Sequence, residues 1–187
     1  MTQILIINNA EPGTTEFTAP LAKIVEEKGY LTNTIDYKDC QGTDFTKFDG
    51  VIMSGSPQGD DIIEHHAPYF EWIKNCEMPV FGICAGHHIT GYLFGSEILH
   101  GEEPEAGDVE IEILKDDPLF KNVNEIFLAR QMHNDSITLP VEFELLAASA
   151  TCRVQLMKHK TKSIYTSQFH PEFNNPELLE NFISLCC

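Results

Sequence analysis

Pro79-Val-Phe-Gly-Ile-Cys84-Ala-Gly-His-His88 combines two hydrophobic periods in one short stretch. Val80, Phe81 and Ile83 make the apolar run of a buried strand, and beyond Cys84 the apolar residues Ile89, Leu93 and Phe94 return at helical spacing. The stretch predicts a strand, a sharp turn at Cys84 and a helix. Gly82 and Gly86 flank the cysteine, and small residues there permit a tight turn and close approach of a ligand to the backbone. A helix start offers unpaired N–H groups and the positive end of a dipole, which favour a thiolate over a thiol. The same pattern also fits a structural cysteine buried at a strand end, a common place for a free thiol. A base elsewhere in the chain has to separate the two readings.

Upstream, residues 4–7 read as a first strand and residues 15–28 as a helix with Phe17, Leu21, Ile24 and Val25 on one face and Gly29 as its stop. Residues 31–37 give a second strand. A third, from Gly50, ends in the small-residue loop Ser54-Gly55-Ser56-Pro57, and residues 62–76 carry Ile63, Tyr69, Phe70 and Ile73 on a helical face. Strands alternating with helices predict an α/β fold, a mostly parallel twisted sheet with helices on both faces and with sites at the carboxyl ends of its strands. Downstream of Gly95, hairpin-like strands at 109–114, 125–129, 143–148, 153–157 and 163–169 predict a smaller antiparallel β portion in the second half. Asn175 before Pro176 reads as the cap of a last helix, whose Leu178, Leu179, Phe182, Ile183 and Cys186 face the core. One domain over residues 1–187 is expected.

The charge balance, 29 acidic against 12 basic residues and a net −17, disfavours nucleic acid and anionic membranes as partners. The N-terminal residues lack a basic region followed by a long apolar one, and a cytoplasmic location is expected. The six cysteines form no Cys-x-x-Cys pair, so free thiols are expected; Cys186 and Cys187 are adjacent. His65-His66 and His87-His88 are doublets whose members point apart, and no His-x-x-x-His or Cys/His quartet accompanies them; neither a metal nor any other cofactor is expected. The phosphate-cradling Gly-rich loop with Lys is absent as well.

A thiol nucleophile needs a base and the base an orienting group. His170-Pro-Glu172 supplies such a pair: in an extended segment residues two apart share a side, so imidazole and carboxylate can meet.

Together, Ser54-Gly55-Ser56-Pro57, Gly82-Ile-Cys84-Ala-Gly86-His87, Glu105-Ala-Gly107, Met132-His133-Asn-Asp135 and Gln168-Phe-His170-Pro-Glu172 resemble, in order, the motifs of class I (triad-type) glutamine amidotransferases. Met157-Lys158-His159 and Ile164-Tyr165 are similar to the glutaminase branch of GMP synthases. The resemblance implies the family's flavodoxin-like α/β fold and a hydrolysis of glutamine to glutamate and ammonia. It implies Cys84 as nucleophile, His170 as proton shuttle and Glu172 as its orienting partner. It further implies an oxyanion hole from the backbone of Gly55, Ser56 and Ala85, and substrate contacts around Asn134 and Asp135. Two positions depart from the family pattern. Ser56 replaces a usual glycine, and His88 replaces a usual substrate-binding glutamine, so His88 is expected to contact substrate. The implied partner is a separate ammonia-accepting synthetase, in this branch one that aminates xanthosine monophosphate. The rival readings are a stand-alone γ-glutamyl hydrolase or peptidase and a catalytically silent regulatory protein that binds glutamine.

Overall fold

The computed structural model describes residues 2–58 and 62–186; Cys187, and with it the adjacent pair it forms with Cys186, lies outside the described residues. The first half runs β1 (Gln3–Asn8), α1 (Ala19–Glu27), β2 (Leu31–Asp36), β3 (Gly50–Met53), α2 (Ile63–His66), β4 (Val80–Ile83) and α3 (Ala85–Leu93). The second half runs β5 (Ile98–Leu99), β6 (Glu105–Ile113), β7 (Ile126–His133), β8 (Ser136–Ile137), β9 (Phe143–Ala148), β10 (Leu156–His159), β11 (Ile164–Ser167), α4 (Pro171–Asn174) and α5 (Pro176–Ser184).

A nine-stranded sheet has the order β2-β1-β3-β4-β11-β10-β9-β6-β7, and β5 pairs with β8 apart from it. From β2 to β11 neighbouring strands are parallel; from β11 to β7 they are antiparallel. This is the expected α/β architecture, with one correction. The final strand, expected among the hairpin strands, lies parallel to β4, with Ser167 in register with Ile83. It is the seam between the two halves of the sheet.

Strand alternation splits the core into two layers. Ile4, Ile6, Ile52, Phe81 and Ile83 pack under Leu21 and Val25 of α1 and Leu178 and Phe182 of α5. Leu5, Ile7, Val51, Met53 and Val80 face the other way, onto Ile89 and Leu93 of α3 and Phe70 and Ile73. Strands buried on both faces need apolar residues at consecutive positions, which is why β1, β3 and β4 read as continuous runs.

Two further expectations are corrected. The helix expected over 62–76 is broken into α2 and short 3-10 turns over Ala67–Tyr69 and Glu71–Asn75. Pro68 has no N–H to give the Glu64 carbonyl, so the helical ladder cannot continue through it. Asn175 precedes α5 but makes no side-chain cap. Its backbone N–H donates to the Pro171 carbonyl at 2.9 Å, because the residue also closes α4.

Candidate active site

The carboxyl ends of the parallel strands open on a cavity of about 660 Å³, walled by Glu16 and Phe17 after β1, Ser56 to Gln58 after β3, Cys84 after β4 and His170 after β11. The antiparallel half contributes Glu105, Ala106 and Met132 to Asp135.

Cys84 joins β4 to α3 with φ 47° and ψ −98°, outside the regions L residues ordinarily occupy. The turn is crowded enough to dictate its neighbours. A Cβ on Gly82 would stand 2.6 Å from the Gly86 carbonyl oxygen, and one on Gly86 would stand 2.8 Å from Met53 Cβ and 2.9 Å from the Met53 carbonyl oxygen. Glycines at these positions let the strand turn directly into the helix. Cys84 is anchored by its N–H, which donates to the Ser167 carbonyl at 2.8 Å. Register between β4 and β11 thereby brings Gln168, Phe169 and His170 beside the cysteine turn.

His170 is 1% exposed, and its Nδ1 lies 2.8 Å from Glu172 Oε1. The two meet by a different local structure from the extended segment expected. His170 is extended, at φ −102° and ψ 90°, but Pro171 opens α4 and Glu172 lies in its first turn. Phe17 and Phe173 flank the ring, with centroids 5.7 and 5.6 Å from it. Gly55 backs it closely: a Cβ there would lie 2.6 Å from His170 Cε1. Burial disfavours the charged ring, but the Cys84 sulfur and the Glu172 carboxylate outweigh it and push the His170 pKa up to about 10.

Ser56 is buried on the cavity wall, and its backbone is not among those at positive φ, so its side chain introduces no backbone strain. Ala85 opens α3, where the first N–H groups of a helix have no partner within it. Asn134 and Asp135 reach the cavity, and the Asp135 carboxylate is held by His100 Nδ1 at 2.6 Å and by the Gly101 N–H at 2.9 Å. His88 does not line the cavity. It is fully buried one helical turn beyond Cys84, and its Nε2 lies 2.6 Å from Gln168 Oε1.

At the cavity wall, Glu105 accepts from Ser149 Oγ at 2.6 Å and Gln155 Nε2 at 2.5 Å, and meets His133 Nε2 at 3.3 Å. Burial would raise the Glu105 pKa, but these hydrogen bonds, that of His133 foremost, hold it below the ordinary carboxylate value. Glu105, His133 and Cys152 bring possible metal-ligand atoms within 4.8 Å of one another. Their donors are already engaged: His133 Nδ1 donates to the Asp135 carbonyl at 2.9 Å, and burial and nearby Glu103 and Glu105 push the Cys152 thiol up, keeping it neutral. The arrangement acts as a buttress joining β6, β7 and the loop before β10. Sequence reading assigns no role to Gln168, although it lies inside the Gln-Phe-His-Pro-Glu motif, or to the Glu105–His133 pair, whose members are distant in the chain.

Comparison with known proteins adds an independent line. The family model "Glutamine amidotransferase class-I" matches residues 14–185. The glutamine-hydrolysing subunit of GMP synthase from Methanosphaera stadtmanae is 34% identical over 188 residues, covering 98% of this chain and 97% of that protein. Its counterpart from Methanocaldococcus jannaschii is 33% identical, with coverages of 98% and 97%. A solved structure from Thermoplasma acidophilum, provisionally assigned as a GMP synthase subunit, superposes with a TM-score of 0.89 at 28% identity, over 100% of this chain and 94% of that one.

Proposed function

Because this chain belongs to the class-I glutamine amidotransferase family, we propose that it hydrolyses the side-chain amide of glutamine and passes the ammonia to a separate synthetase. The observation that carries the reading is the meeting of Cys84, on its strained turn, with the His170–Glu172 pair at one cavity.

In the first step the Cys84 sulfur attacks the amide carbon, and the oxygen takes up the negative charge. Backbone N–H groups at Gly55, Ser56 and Ala85 serve as its donors, one such donor being worth about 3 kcal/mol of barrier. His170 gives its proton to the departing nitrogen, ammonia leaves, and a thioester remains on Cys84. Neutral His170 then takes a proton from water, the hydroxide adds to the thioester, and glutamate departs as the sulfur and imidazolium are restored. Glu172 holds the ring in position and balances its charge. Asn134 and Asp135 receive the amino-acid end of the substrate, the acidic wall suiting an ammonium group.

Ammonia freed into neutral water is protonated and ceases to be a nucleophile. A chain with no nucleotide-binding loop of its own therefore works best with its cavity covered by the enzyme that uses the ammonia. The relatives named as glutamine-hydrolysing components of GMP synthase point to a synthetase that aminates xanthosine monophosphate.

Ammonia release from glutamine tests the reading. It should be slow for the chain alone, faster with the synthetase, and lost in Cys84→Ala. Wild-type turnover by Cys84→Ala would overturn the mechanism. Partner-independent turnover of γ-glutamyl peptides would replace it with a stand-alone hydrolase.

A further inference from the structure

Gln168 and His88 form a buried chain that ends on the reacting sulfur. Both side chains are fully buried; His88 Nε2 is 2.6 Å from Gln168 Oε1, and Gln168 Nε2 is 4.0 Å from Cys84 Sγ. The two residues arrive from different elements. His88 lies four positions after Cys84, one turn into α3, its N–H donating to the Cys84 carbonyl at 3.0 Å. Gln168 follows β11, the strand that anchors the cysteine turn.

We propose that His88, acting through Gln168, is a positioning residue that keeps the Cys84 sulfur ionised. The proposal rests on the reading of Cys84 as the glutaminase nucleophile. An amide oxygen accepts and never donates, so the short contact requires the proton on His88 Nε2. With its oxygen engaged, the Gln168 amide turns its NH2 toward Sγ, and a donor facing a sulfur favours the thiolate. Turned over, the amide would set its oxygen against the sulfur, an arrangement that suits a neutral thiol and repels a thiolate. It would also present its NH2 to His88, which would then need its proton on Nδ1. The His88 proton and the charge on Cys84 are therefore coupled through one amide. In this chain the residue at 88 serves the nucleophile from behind and does not hold substrate from the front.

Ionisable groups near this chain include Cys84 itself, His170 with Glu172, and His87, whose ring centroid is 5.6 Å from that of His88. Burial, and after it the nearness of His88 and His133, hold the His87 pKa well below its ordinary value, so His87 is neutral and adds no competing charge.

The test reads the sulfur directly. The rate at which iodoacetamide alkylates Cys84, followed on its own peptide by mass spectrometry, is measured against pH without glutamine. Gln168→Leu and His88→Leu should move the inflection upward by about one pH unit and slow the reaction about ten-fold on its acid side. His88→Gln, whose amide can reach and donate to the same oxygen, should keep the wild-type profile. Folded Leu variants with the wild-type profile would overturn the proposal. Should they not fold, nitrogen-15 histidine spectra of the wild-type protein decide: a proton on Nε2 of His88 supports the coupling, and one on Nδ1 while Cys84 is ionised overturns it. A wild-type chain that shows the coupling but releases no ammonia would sink the glutaminase reading alone.

Discussion

Cys84 holds a backbone conformation that L residues adopt at a cost of about 1–3 kcal/mol. Of two variants that both lack the sulfur, Cys84→Gly should therefore be more stable than Cys84→Ala by about 1 kcal/mol, measured by urea denaturation. Equal stability would mean that the turn is unstrained. His170 carries the complementary electrostatic signature. Its folded pKa, about 10, lies above the ordinary 6.5, so the fold favours the charged ring. That contribution to stability is complete below about pH 6.5 and is lost as the pH rises through about 10. Removing the sulfur removes the first of the influences that raise it, so in Cys84→Ser the His170 pKa should fall, as an NMR titration would register. Cys84 and the His170–Glu172 pair were legible because each sits in a motif with its chemistry displayed. The position of His88 was not, since its burial depends on where β11 lies and nothing local to residue 88 specifies that.

Among the elements, the cysteine turn and the loop after β3 are the places where packing tolerates least. Gly86→Ala sets a Cβ against Met53 backbone as well as side chain, and overpacking of this kind should cost about 1–3 kcal/mol in a denaturation experiment. Gly55→Ala meets the His170 ring instead, a side chain and not backbone. The fold should survive, while kcat for ammonia release falls on the order of 100-fold as the ring is displaced. The Glu105 buttress ties the paired strands β6 and β7 to the loop before β10. Glu105→Gln should destabilise by about 1–3 kcal/mol near neutral pH. Because the folded carboxylate titrates below its ordinary 4.5, the difference from wild type should close as the pH falls through that folded value. The strands β1, β3 and β4 were legible from apolar runs. The break over 62–76 is not legible in the hydrophobic spacing, which is helical throughout, because it comes from the hydrogen bond that Pro68 cannot make. The His170–Glu172 contact was foreseen through strand alternation, and a short helix turn produces it.

Over the whole molecule, a net charge of −17 biases the choice of partner. The cavity lining includes Glu16 and Asp135, and β6, which starts at the lining residue Glu105, exposes Glu110 and Glu112 and also Asp108, which pairs with Arg130. A synthetase docking here needs a basic face, and its stimulation of ammonia release should weaken as ionic strength rises. Stimulation unchanged by salt would place the contact on another surface.

The position of β11 at the seam of the sheet also orders events during synthesis. Its neighbours β4 and β10 emerge from the ribosome earlier, and β4 keeps one edge of backbone N–H and C=O groups without its strand partner until residues 164–167 follow. A nascent chain short of that point has Cys84 but neither His170 nor the strand that anchors the cysteine turn. The side chains that meet at the cavity are therefore brought together only after residues 164–172 have been made. In the same interval the open edge of β4 is exposed to mispairing with other chains.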